Sequence, residues 1–432
     1  MNLGRRWRTL FRILMVGAVG IAVLLVSAFL VASRPFAEPP WVEASPNSLA
    51  IYRNVASSRV DRAQVPVVSP FHLAHDPMTG LLLINFEQDP DVVYHGLEPQ
   101  SFDDAVHGRG ILVIGWRVDG LVDVYYQTGL RLNPDTYGIA GKGLNAMVER
   151  PFSDALFELG PRGAQADIRF EDLDGRPVHI VVHETDTRPR TSFGLLAPMG
   201  VAASDPPALP LVYVDQFSFV RRAGTELRIE IDGRSHQSDF LPFILDGTPV
   251  HFLRYSAAPF VITWNPDVAA RVRTLDPRVE AGAGVHGAHA DGVRYELEAN
   301  DGFLEIRRMS RREGEHEVMI EFTPAIPHLL ALADAAAANG AFRVSAEPGL
   351  GTVRGSWHVT RNGSELNMEL RPDGGWTPGP GPRMARLLFR AISMFRQWPT
   401  TYLWRGTIQL PAPDAPRDSP LAFHSGWERI EH

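Results

Sequence analysis

Residues 211–267 read LVYVDQFSFVRRAGTELRIEIDGRSHQSDFLPFILDGTPVHFLRYSAAPFVITWNPD, and this stretch decides the fold class. Apolar and polar residues alternate along it, and the pairs Asp232-Gly233 and Asp246-Gly247 separate its apolar runs. Alternation is typical of strands with one buried face, and Asp-Gly pairs tolerate the positive φ angles of tight hairpins. The stretch therefore predicts consecutive antiparallel hairpins.

Short β-rich runs continue on both sides of this stretch. Earlier runs lie at 81–86, 110–118, 121–128, 166–171 and 177–184, and later runs at 293–299, 303–309, 316–322, 351–360, 365–371 and 402–410. A spacing of about 8–12 residues per strand is typical of sandwiches and barrels. Neither βαβ alternation nor a glycine-rich helix start is present, which argues against a dinucleotide-binding fold. We expect a mainly β protein made of antiparallel barrels or sandwiches with a few helices.

The length of 432 residues exceeds what one hydrophobic core usually serves, so we expect two domains. The glycine-rich segment 282–292 and the change of pattern after Pro266 divide them into residues 67–270 and residues 271–432. Two helices are expected in the second domain, at 326–339 from an alanine run and at 383–398 from an amphipathic pattern. The second helix is basic, so it either closes one end of a barrel or lies on an anionic membrane surface. The proline-rich segment 195–210 is expected to be a long loop of the kind that covers binding sites.

An apolar run at residues 13–32, ILMVGAVGIAVLLVSAFLVA, contains no charge and is long enough to cross a bilayer. Four arginines precede it, so by the positive-inside rule residues 1–12 are cytoplasmic. Residues 13–33 are then a transmembrane anchor, and residues 34–66 are a linker. We expect a single-pass protein of the inner (cell) membrane whose globular part is periplasmic or extracellular. Cleavage as a signal peptide after Ala28 or Ser33 is the alternative.

Composition excludes several classes of function. The formal net charge of −8 argues against a nucleic-acid partner, and the lack of cysteine excludes thiol chemistry and cysteine-ligated metals. Two histidine motifs, His72-x-x-His75-Asp76 and His286-x-x-His289-x-Asp291, lack the helical context of a zinc site, and we expect neither a metal nor another cofactor. All but one of the 42 basic residues are arginine. The exception, Lys142, is either retained by chance, or it binds an anion or acts as a base.

The candidate catalytic residues come from the quoted stretch. In Tyr213, Asp215, Phe217 and Phe219, strand alternation places a carboxylate in a row of aromatic side chains. Desolvation would raise the pKa of Asp215 and suit it to donate a proton, with the aromatic side chains binding an apolar ligand. The alternative is that Asp215 ends the buried section or pairs with an arginine. His236, Asp239 and His251 flank the next two strands and complete the candidate acid–base set.

A second candidate group lies on PVHIVVHE, residues 177–184. His179 and His183 share one face of this strand, while Glu184 shares the other face with Val178 and Val182. The histidines and Glu184 either bind a ligand inside the fold, or the histidines face solvent and Glu184 is the buried polar end of the strand.

The order of features resembles the tandem lipocalin-like barrels of the carotenoid 1,2-hydratase superfamily. These features are a proline-rich loop, a tyrosine-containing strand at 212–220, the hairpin GTELRIEIDG at 224–233 and a polar strand entry at Asp239. The resemblance covers about 60 residues, and the segment SDFLPFILDG replaces the Asp- and Trp-rich run of the family. It implies two lipocalin-like (calycin-like) barrels, a hydrophobic substrate and acid-catalysed hydration or isomerisation, with Asp215 and Asp239 as the residues that match an acid role.

Three functions follow as hypotheses. The first is a membrane-anchored β protein that binds a hydrophobic small molecule, such as a lipid or isoprenoid, outside the cytoplasm. The second is an acid–base enzyme of hydratase or isomerase type on the same scaffold. The third is an envelope module that docks another protein through exposed strand edges.

Overall fold

The computed structural model of the chain describes residues 23–24, 26–38, 40–52, 65–67, 73–138, 140–197, 212–245, 247–263, 268–275, 277–279, 286–392, 397–410 and 421–430. Strand residues make up 58% of the structure and helical residues 10%, which confirms the prediction of a mainly β protein. The strands, numbered along the chain, form three large sheets and two short ribbons. The ribbons pair β1 (Val65–Val67) with β19 (Arg273–Leu275) and β2 (Ala74–Asp76) with β17 (Val261–Thr263).

A nine-stranded sheet contains three of the strands of the stretch quoted first. Its strands are β3 (Met78–Asn85), β4 (Tyr94–Asp104), β5 (Gly108–Arg117), β6 (Val122–Tyr126), β7 (Leu144–Glu149), β11 (Phe193–Ala197), β12 (Val212–Arg221), β15 (Phe240–Leu245) and β16 (Thr248–Ser256). Their order is β11-β12-β16-β3-β4-β5-β6-β7, and β15 pairs with β16. Strands β6 and β7 run parallel, and the short helix α1 (Pro134–Tyr137) lies in their connection.

A five-stranded sheet forms a second layer on this one. Its strands are β8 (Ser153–Gly160), β9 (Gly163–Glu171), β10 (Pro177–Glu184), β13 (Thr225–Ile231) and β14 (Arg234–Ser235), in the order β14-β13-β10-β9-β8. Val178, Ile180 and Val182 of β10 belong to the same buried apolar cluster as Leu82 and Ile84 of β3. The two sheets therefore make a sandwich whose core is the space between their alternating apolar faces.

The C-terminal part is one eleven-stranded sheet, in which consecutive strands from β20 to β29 pair in order and β18 joins β29. Its strands are β18 (Val268–Arg271), β20 (Arg278–Val279), β21 (His286–Ala290), β22 (Val293–Asn300), β23 (Phe303–Glu313), β24 (His316–Ile326), β25 (Ala337–Glu347), β26 (Gly351–Asn362), β27 (Glu365–Thr377), β28 (Tyr402–Gln409) and β29 (Ala422–Arg429).

The eleven-stranded sheet is curled. Eleven flat strands would span about 48 Å at the usual spacing between neighbours. The edge strands β18 and β20, however, are joined by the short segment between Arg271 and Arg278, which can reach at most about 25 Å. The two edges therefore approach each other, although the sheet remains open.

Closed barrels, one of the two predicted forms, are not formed by the described strands, because all three large sheets are open. In the N-terminal part, the chain leaves the edge strand β7 and enters the five-stranded sheet at β8. The nine-stranded sheet thus acquires a second layer instead of pairing its own edges. The sandwich alternative describes this part correctly.

The largest apolar cluster joins the N-terminal and C-terminal sheets. It includes Leu196 of β11 and Tyr213 of β12 together with Val344 of β25 and Trp357 of β26. Along the chain, the nine- and five-stranded sheets end at Ser256 and the eleven-stranded sheet begins at Val268. The predicted domain boundary at residues 270–271 stays a prediction, since the sheets on its two sides share one core.

The helix predicted at 326–339 is wrong. The segment contains a single 3-10 turn, Leu329–Ala331, and then enters β25 at Ala337. The small residues at the start of β25 fit against the neighbouring strands and do not form a helix. A Cβ on Gly340 would come within 2.7 Å of both the Trp357 ring and the Thr323 carbonyl oxygen.

The second predicted helix is present as α2 (Arg383–Ala391), and residues 393–396 lie outside the described residues. It buries Ala385, Leu388 and Phe389. Ile392, which the amphipathic pattern placed on the apolar face, is exposed. Two further 3-10 turns are found at Leu49–Tyr52 and Trp398–Thr401.

The N-terminal segment packs on the C-terminal sheet. Residues 26–32 are helical, and the described part of the chain contains no helix with the length and apolar character that crossing a membrane requires. Residues 13–22 of the predicted anchor and residues 53–64 of the predicted linker lie outside the described residues. Trp41 lies against the guanidinium groups of Arg343 and Arg354, so the described part of the linker follows the sheet surface.

Candidate functional site

A cavity of about 260 Å³ lies where the nine-stranded sheet meets α2. Its apolar wall comes from Phe193 of β11, Phe219 of β12, Val250 of β16 and Met384 of α2. The remaining lining residues are Arg190, Thr191, Ser218, Arg221, Gly247, Pro382, Arg383 and Ala385. An apolar wall with a few converging polar groups is the usual composition of a small-molecule site.

A bulge in β12 shapes the aromatic wall. Leu195 pairs with Val214 whereas Phe193 pairs with Phe217, so β12 holds one residue more than β11 over this interval. Gln216 has a φ of 49°, which accommodates the extra residue. The extra residue puts Phe217 on the face that Val214 occupies, and the predicted row of Tyr213, Asp215, Phe217 and Phe219 on one face is broken.

Aromatic rings connect the bulged strand to α2. The ring centroids of Phe193 and Phe217 are 5.5 Å apart, and those of Phe217 and Phe219 are 5.7 Å apart with perpendicular planes. Phe389 of α2 meets Phe193 edge-on at 5.7 Å and Trp376 at 4.9 Å. Such contacts add to the stability gained by burial, and they hold the helix over the cavity.

Two arginines that line the cavity form ion pairs with acidic side chains behind its wall. The Glu184 carboxylate accepts hydrogen bonds from Arg190 Nη2 at 2.8 Å, from the Arg221 backbone N–H at 2.7 Å and from the Ala164 backbone N–H at 2.8 Å. The guanidinium of Arg221 pairs with Asp186 at 3.1 Å. Glu184 therefore lies behind the cavity wall and orients Arg190, which lines the cavity.

Two of the predicted ligand-binding side chains, Phe219 and Phe217, thus belong to the cavity wall or its support. Tyr213 is fully buried in the large core, and burial raises the pKa of its hydroxyl group. Its hydroxyl has no hydrogen-bond partner among the described residues. Tyr213 is not among the residues that line the cavity.

Asp215, the first candidate acid, contacts a histidine of the C-terminal sheet. Its Oδ2 lies 2.9 Å from Nε2 of His316, the first residue of β24. The ring of Phe260 stacks on the His316 ring at 4.7 Å. The partner of Asp215 is therefore a histidine, whereas the sequence suggested an arginine.

His236, Asp239 and His251 gather at the opposite end of β16. The Asp239 carboxylate accepts hydrogen bonds from the backbone N–H groups of Glu87 and Gln88, at 2.9 and 3.0 Å. Nδ1 of His236 contacts the Asp89 carbonyl oxygen at 2.8 Å. These contacts hold the loop that follows β3.

His251 is the third member of that group. Its Nδ1 lies 2.9 Å from Oγ of Ser238. Burial and, secondarily, the charge of Arg222 lower the pKa of His251 to about 4. Ser256 is the residue of β16 that contacts Asp215. His251 lies five residues before Ser256, which is about 16 Å along the strand. The four predicted catalytic residues are therefore not brought together in one site.

Lys142 lies between α1 and β7, and its side chain packs against the turn between β5 and β6. Its Nζ donates to the Asp119 carbonyl oxygen at 3.1 Å, and its methylene groups cover Gly120. Gly120 has a φ of 89°, a conformation that favours glycine at this position. The absence of a Cβ on Gly120 leaves room for the methylene groups of Lys142. Lys142 does not line the cavity at α2.

The two histidines of β10 face outward. His179 is half-buried, His183 is exposed, and Val178, Val182 and Glu184 point into the sandwich. Nε2 of His179 lies 3.0 Å from Oδ1 of Asp167 on the outer surface. This is the solvent-facing alternative of the sequence analysis, with Glu184 as the buried polar end of the strand.

Sequence reasoning missed several residues of the cavity. Arg190, Phe193 and Arg383 come from segments before and after the quoted stretch, and their approach depends on packing between sheets. A local signal existed only for α2, whose arginines and apolar residues separate by helical period.

The end of the N-terminal helix lies next to α2. Nη1 of Arg390 donates to the Ala32 carbonyl oxygen at 2.7 Å, and the Arg390 guanidinium lies 4.1 Å from the centroid of the Phe36 ring. A cation at the carbonyl end of a helix is favourable because it complements the helix dipole.

Comparisons of the chain with family models, with curated proteins and with solved structures give no match.

Proposed function

We propose that the protein binds a hydrophobic small molecule, such as a lipid or isoprenoid, in the cavity between the nine-stranded sheet and α2. The observation that carries this proposal is the wall formed by Phe193, Phe219, Val250 and Met384 around about 260 Å³. Ligand cavities for drug-sized molecules occupy about 300–1,000 Å³, so this cavity suits a small ligand or one hydrocarbon chain.

We further propose that the N-terminal segment anchors the protein in the inner (cell) membrane, with the globular part periplasmic or extracellular. Its support is the uncharged run at residues 13–32 and the exposure of apolar side chains at its end, including Val23, Leu24 and Val26. Apolar side chains exposed on consecutive turns are stable in contact with lipid. A binding cavity close to this segment would receive a poorly soluble ligand directly from the bilayer.

The lipocalin-like architecture and the likeness to the carotenoid 1,2-hydratase superfamily remain part of this proposal. Their support is the curl of the eleven-stranded meander, whose edge strands are joined by a short segment. An acid–base activity is a second candidate, and the observation that favours it is the half-buried Asp215–His316 pair, in which a carboxylate and an imidazole are 2.9 Å apart.

The test is native mass spectrometry with lipid extraction on the full chain purified from its own host. We expect the chain in the membrane fraction, with a co-purifying lipid or isoprenoid bound. Val250→Trp fills the cavity and should remove the ligand, whereas Leu156→Trp, on an exposed position of β8, should retain it. Wild-type protein that carries and rebinds no hydrophobic molecule would overturn the binding proposal, and recovery in the soluble fraction would overturn the anchoring proposal.

A further inference from the structure

The apolar N-terminal helix ends directly on α2. Its last turn exposes Leu30 and Val31, whereas Ser33 is buried. Between them, the carbonyl oxygen of Ala32 accepts a hydrogen bond from Nη1 of Arg390, in the last turn of α2, at 2.7 Å. Two residues of helix span about 3 Å. The exposed apolar side chains therefore end within about one helical turn of α2.

The chain that follows this helix is fixed to the folded part of the protein. Nη2 of Arg390 donates a hydrogen bond to the Pro35 carbonyl oxygen at 3.3 Å. The Glu38 carboxylate lies 3.2 Å from Nη2 of Arg354 on β26, and Trp41 packs on the same guanidinium. These contacts hold the segment after the apolar run against the folded part, so it does not act as a flexible spacer.

This arrangement fixes the height of α2 relative to a membrane. A helix of 20 residues spans about 30 Å, which is the thickness of the hydrocarbon core of a bilayer. The apolar run at residues 13–32 has that length and ends at Ala32. If the run crosses the bilayer as proposed, Ala32 lies at the border between hydrocarbon and headgroups. The α2 helix, which contacts Ala32, then lies at the level of the headgroups.

The side of α2 opposite its buried residues is basic. Arg383, Arg386 and Arg390 recur every three to four residues and form what we call the arginine face, whereas Leu388 is buried on the other side. Residues 374–413 contain five arginines and neither aspartate nor glutamate, although the whole chain has a formal net charge of −8. An acidic protein as a whole is repelled by an anionic membrane. A basic face next to the anchor therefore determines which side of the protein approaches the headgroups.

We propose that the arginine face, together with the exposed Arg34, docks on anionic phospholipid headgroups of the bilayer that holds the anchor. Guanidinium groups bind phosphate oxygens through pairs of hydrogen bonds, which suits them to phospholipid headgroups. Docking places the cavity beside the membrane surface, because Arg383 also lines the cavity. This inference rests on the proposed membrane anchoring and names the class of lipid that the folded part contacts.

The experiment uses the lack of cysteine in the chain, which allows one introduced cysteine to be labelled specifically with a fluorophore. The labelled position is Ala391→Cys, exposed at the end of α2. The full chain is reconstituted in phosphatidylcholine nanodiscs that contain a small share of nitroxide-labelled phosphatidylcholine or of nitroxide-labelled phosphatidylglycerol. Both nitroxide lipids should quench the fluorophore. We expect phosphatidylglycerol to quench it at least about fivefold more strongly, because one arginine near an anionic surface favours an anionic lipid by roughly that factor.

A control position and two variants locate the effect. A fluorophore at Leu156→Cys should not be quenched, because Leu156 is exposed on the five-stranded sheet, which packs on the face of the nine-stranded sheet that points away from α2. The double variant Arg34→Gln/Arg383→Gln, at two exposed positions, should lower the preference for phosphatidylglycerol about fivefold and leave quenching by phosphatidylcholine unchanged. The matched control Arg109→Gln/Arg162→Gln removes two exposed charges elsewhere and should keep the preference.

Each other result overturns a different statement. An embedded chain whose label at Ala391→Cys is quenched by neither lipid would overturn the docking and leave the anchoring intact. Equal quenching by both lipids would mean contact without recognition of anionic headgroups. Quenching at Leu156→Cys, or an equal loss of preference in Arg109→Gln/Arg162→Gln, would overturn the assignment to α2. A chain that does not enter nanodiscs would overturn the proposed anchoring itself.

Discussion

The directions in which Asp215 and Phe217 point are set by contacts between strands, which the local sequence pattern does not predict. Asp215 and Phe217 are two positions apart, so alternation predicts the same face. One extra residue in β12 separates them, and Asp215 turns to His316 while Phe217 packs beside Phe193. A bulge is a pairing property of two strands, and so the sequence of one strand did not reveal it.

His251 makes stability dependent on pH. Its pKa is about 4 in the folded protein and 6.5 in the ordinary case, because burial disfavours the charged ring and Arg222 repels it. The unfolded chain therefore takes up a proton between these values that the folded chain does not bind. The contribution of the neutral His251 ring to the free energy of unfolding is complete above pH 6.5 and is lost as the pH falls toward 4. Partial exposure of the ring limits it to about 1–2 kcal/mol.

Urea unfolding at pH 7.5 and pH 5 measures this contribution. The wild type should lose more stability between the two values than His251→Gln, by about 1–2 kcal/mol. His183→Gln is the matched control, since His183 is exposed, and should keep the wild-type pH dependence. The same loss in His251→Gln as in the wild type would show that His251 does not titrate in this way.

Elements follow tertiary pairing where it conflicts with intrinsic propensity. The alanine run before Gly340 favours a helix, yet Ala338 pairs with Val359 and Gly340 pairs with Trp357 in the eleven-stranded sheet. The strand accepts small residues because the indole ring occupies the space that a larger side chain would need. Alanine propensity amounts to tenths of a kcal/mol per residue, less than the burial of one tryptophan.

Gly340→Ala tests this explanation. The added methyl group would meet the Trp357 ring and the Thr323 carbonyl oxygen at 2.7 Å, so we expect destabilisation of about 1–3 kcal/mol. Gly160→Ala, where a methyl group meets nothing within 4 Å, should change the free energy of unfolding by less than about 0.5 kcal/mol. Urea denaturation of both variants gives the comparison, and equal stability would rule out the steric account of the alanine-rich strand.

The whole molecule is held together by contacts between distant parts of the chain. The segment before the first strand docks on the C-terminal sheet through Glu305, whose buried carboxylate accepts hydrogen bonds from Tyr52 at 2.6 Å and from Asn47 and Asn300 at 2.9 Å. This docking fixes the N-terminal segment beside the eleven-stranded sheet. The geometry between membrane anchor and cavity in the proposed function depends on it.

Tyr52→Phe removes one donor from a buried carboxylate. We expect a loss of about 1–3 kcal/mol in the free energy of unfolding and faster amide hydrogen exchange in residues 44–52. Tyr126→Phe is the control, because the Tyr126 hydroxyl makes no hydrogen bond to any described residue. Unchanged exchange in residues 44–52 of Tyr52→Phe would mean that the segment is held by other contacts.

The sequence by itself determined the mainly β class, the positions of most strands and hairpin turns and the presence of α2, and it left two orientations of the β10 histidines open. These features depend on period and turn chemistry, which act over a few neighbouring residues. Only the tertiary structure decided the open sheets, the strand that replaced a predicted helix, the bulge in β12 and the cavity of Arg190, Phe219 and Arg383. Each of these depends on side chains from segments far apart in the chain, and their packing energies exceed local preferences.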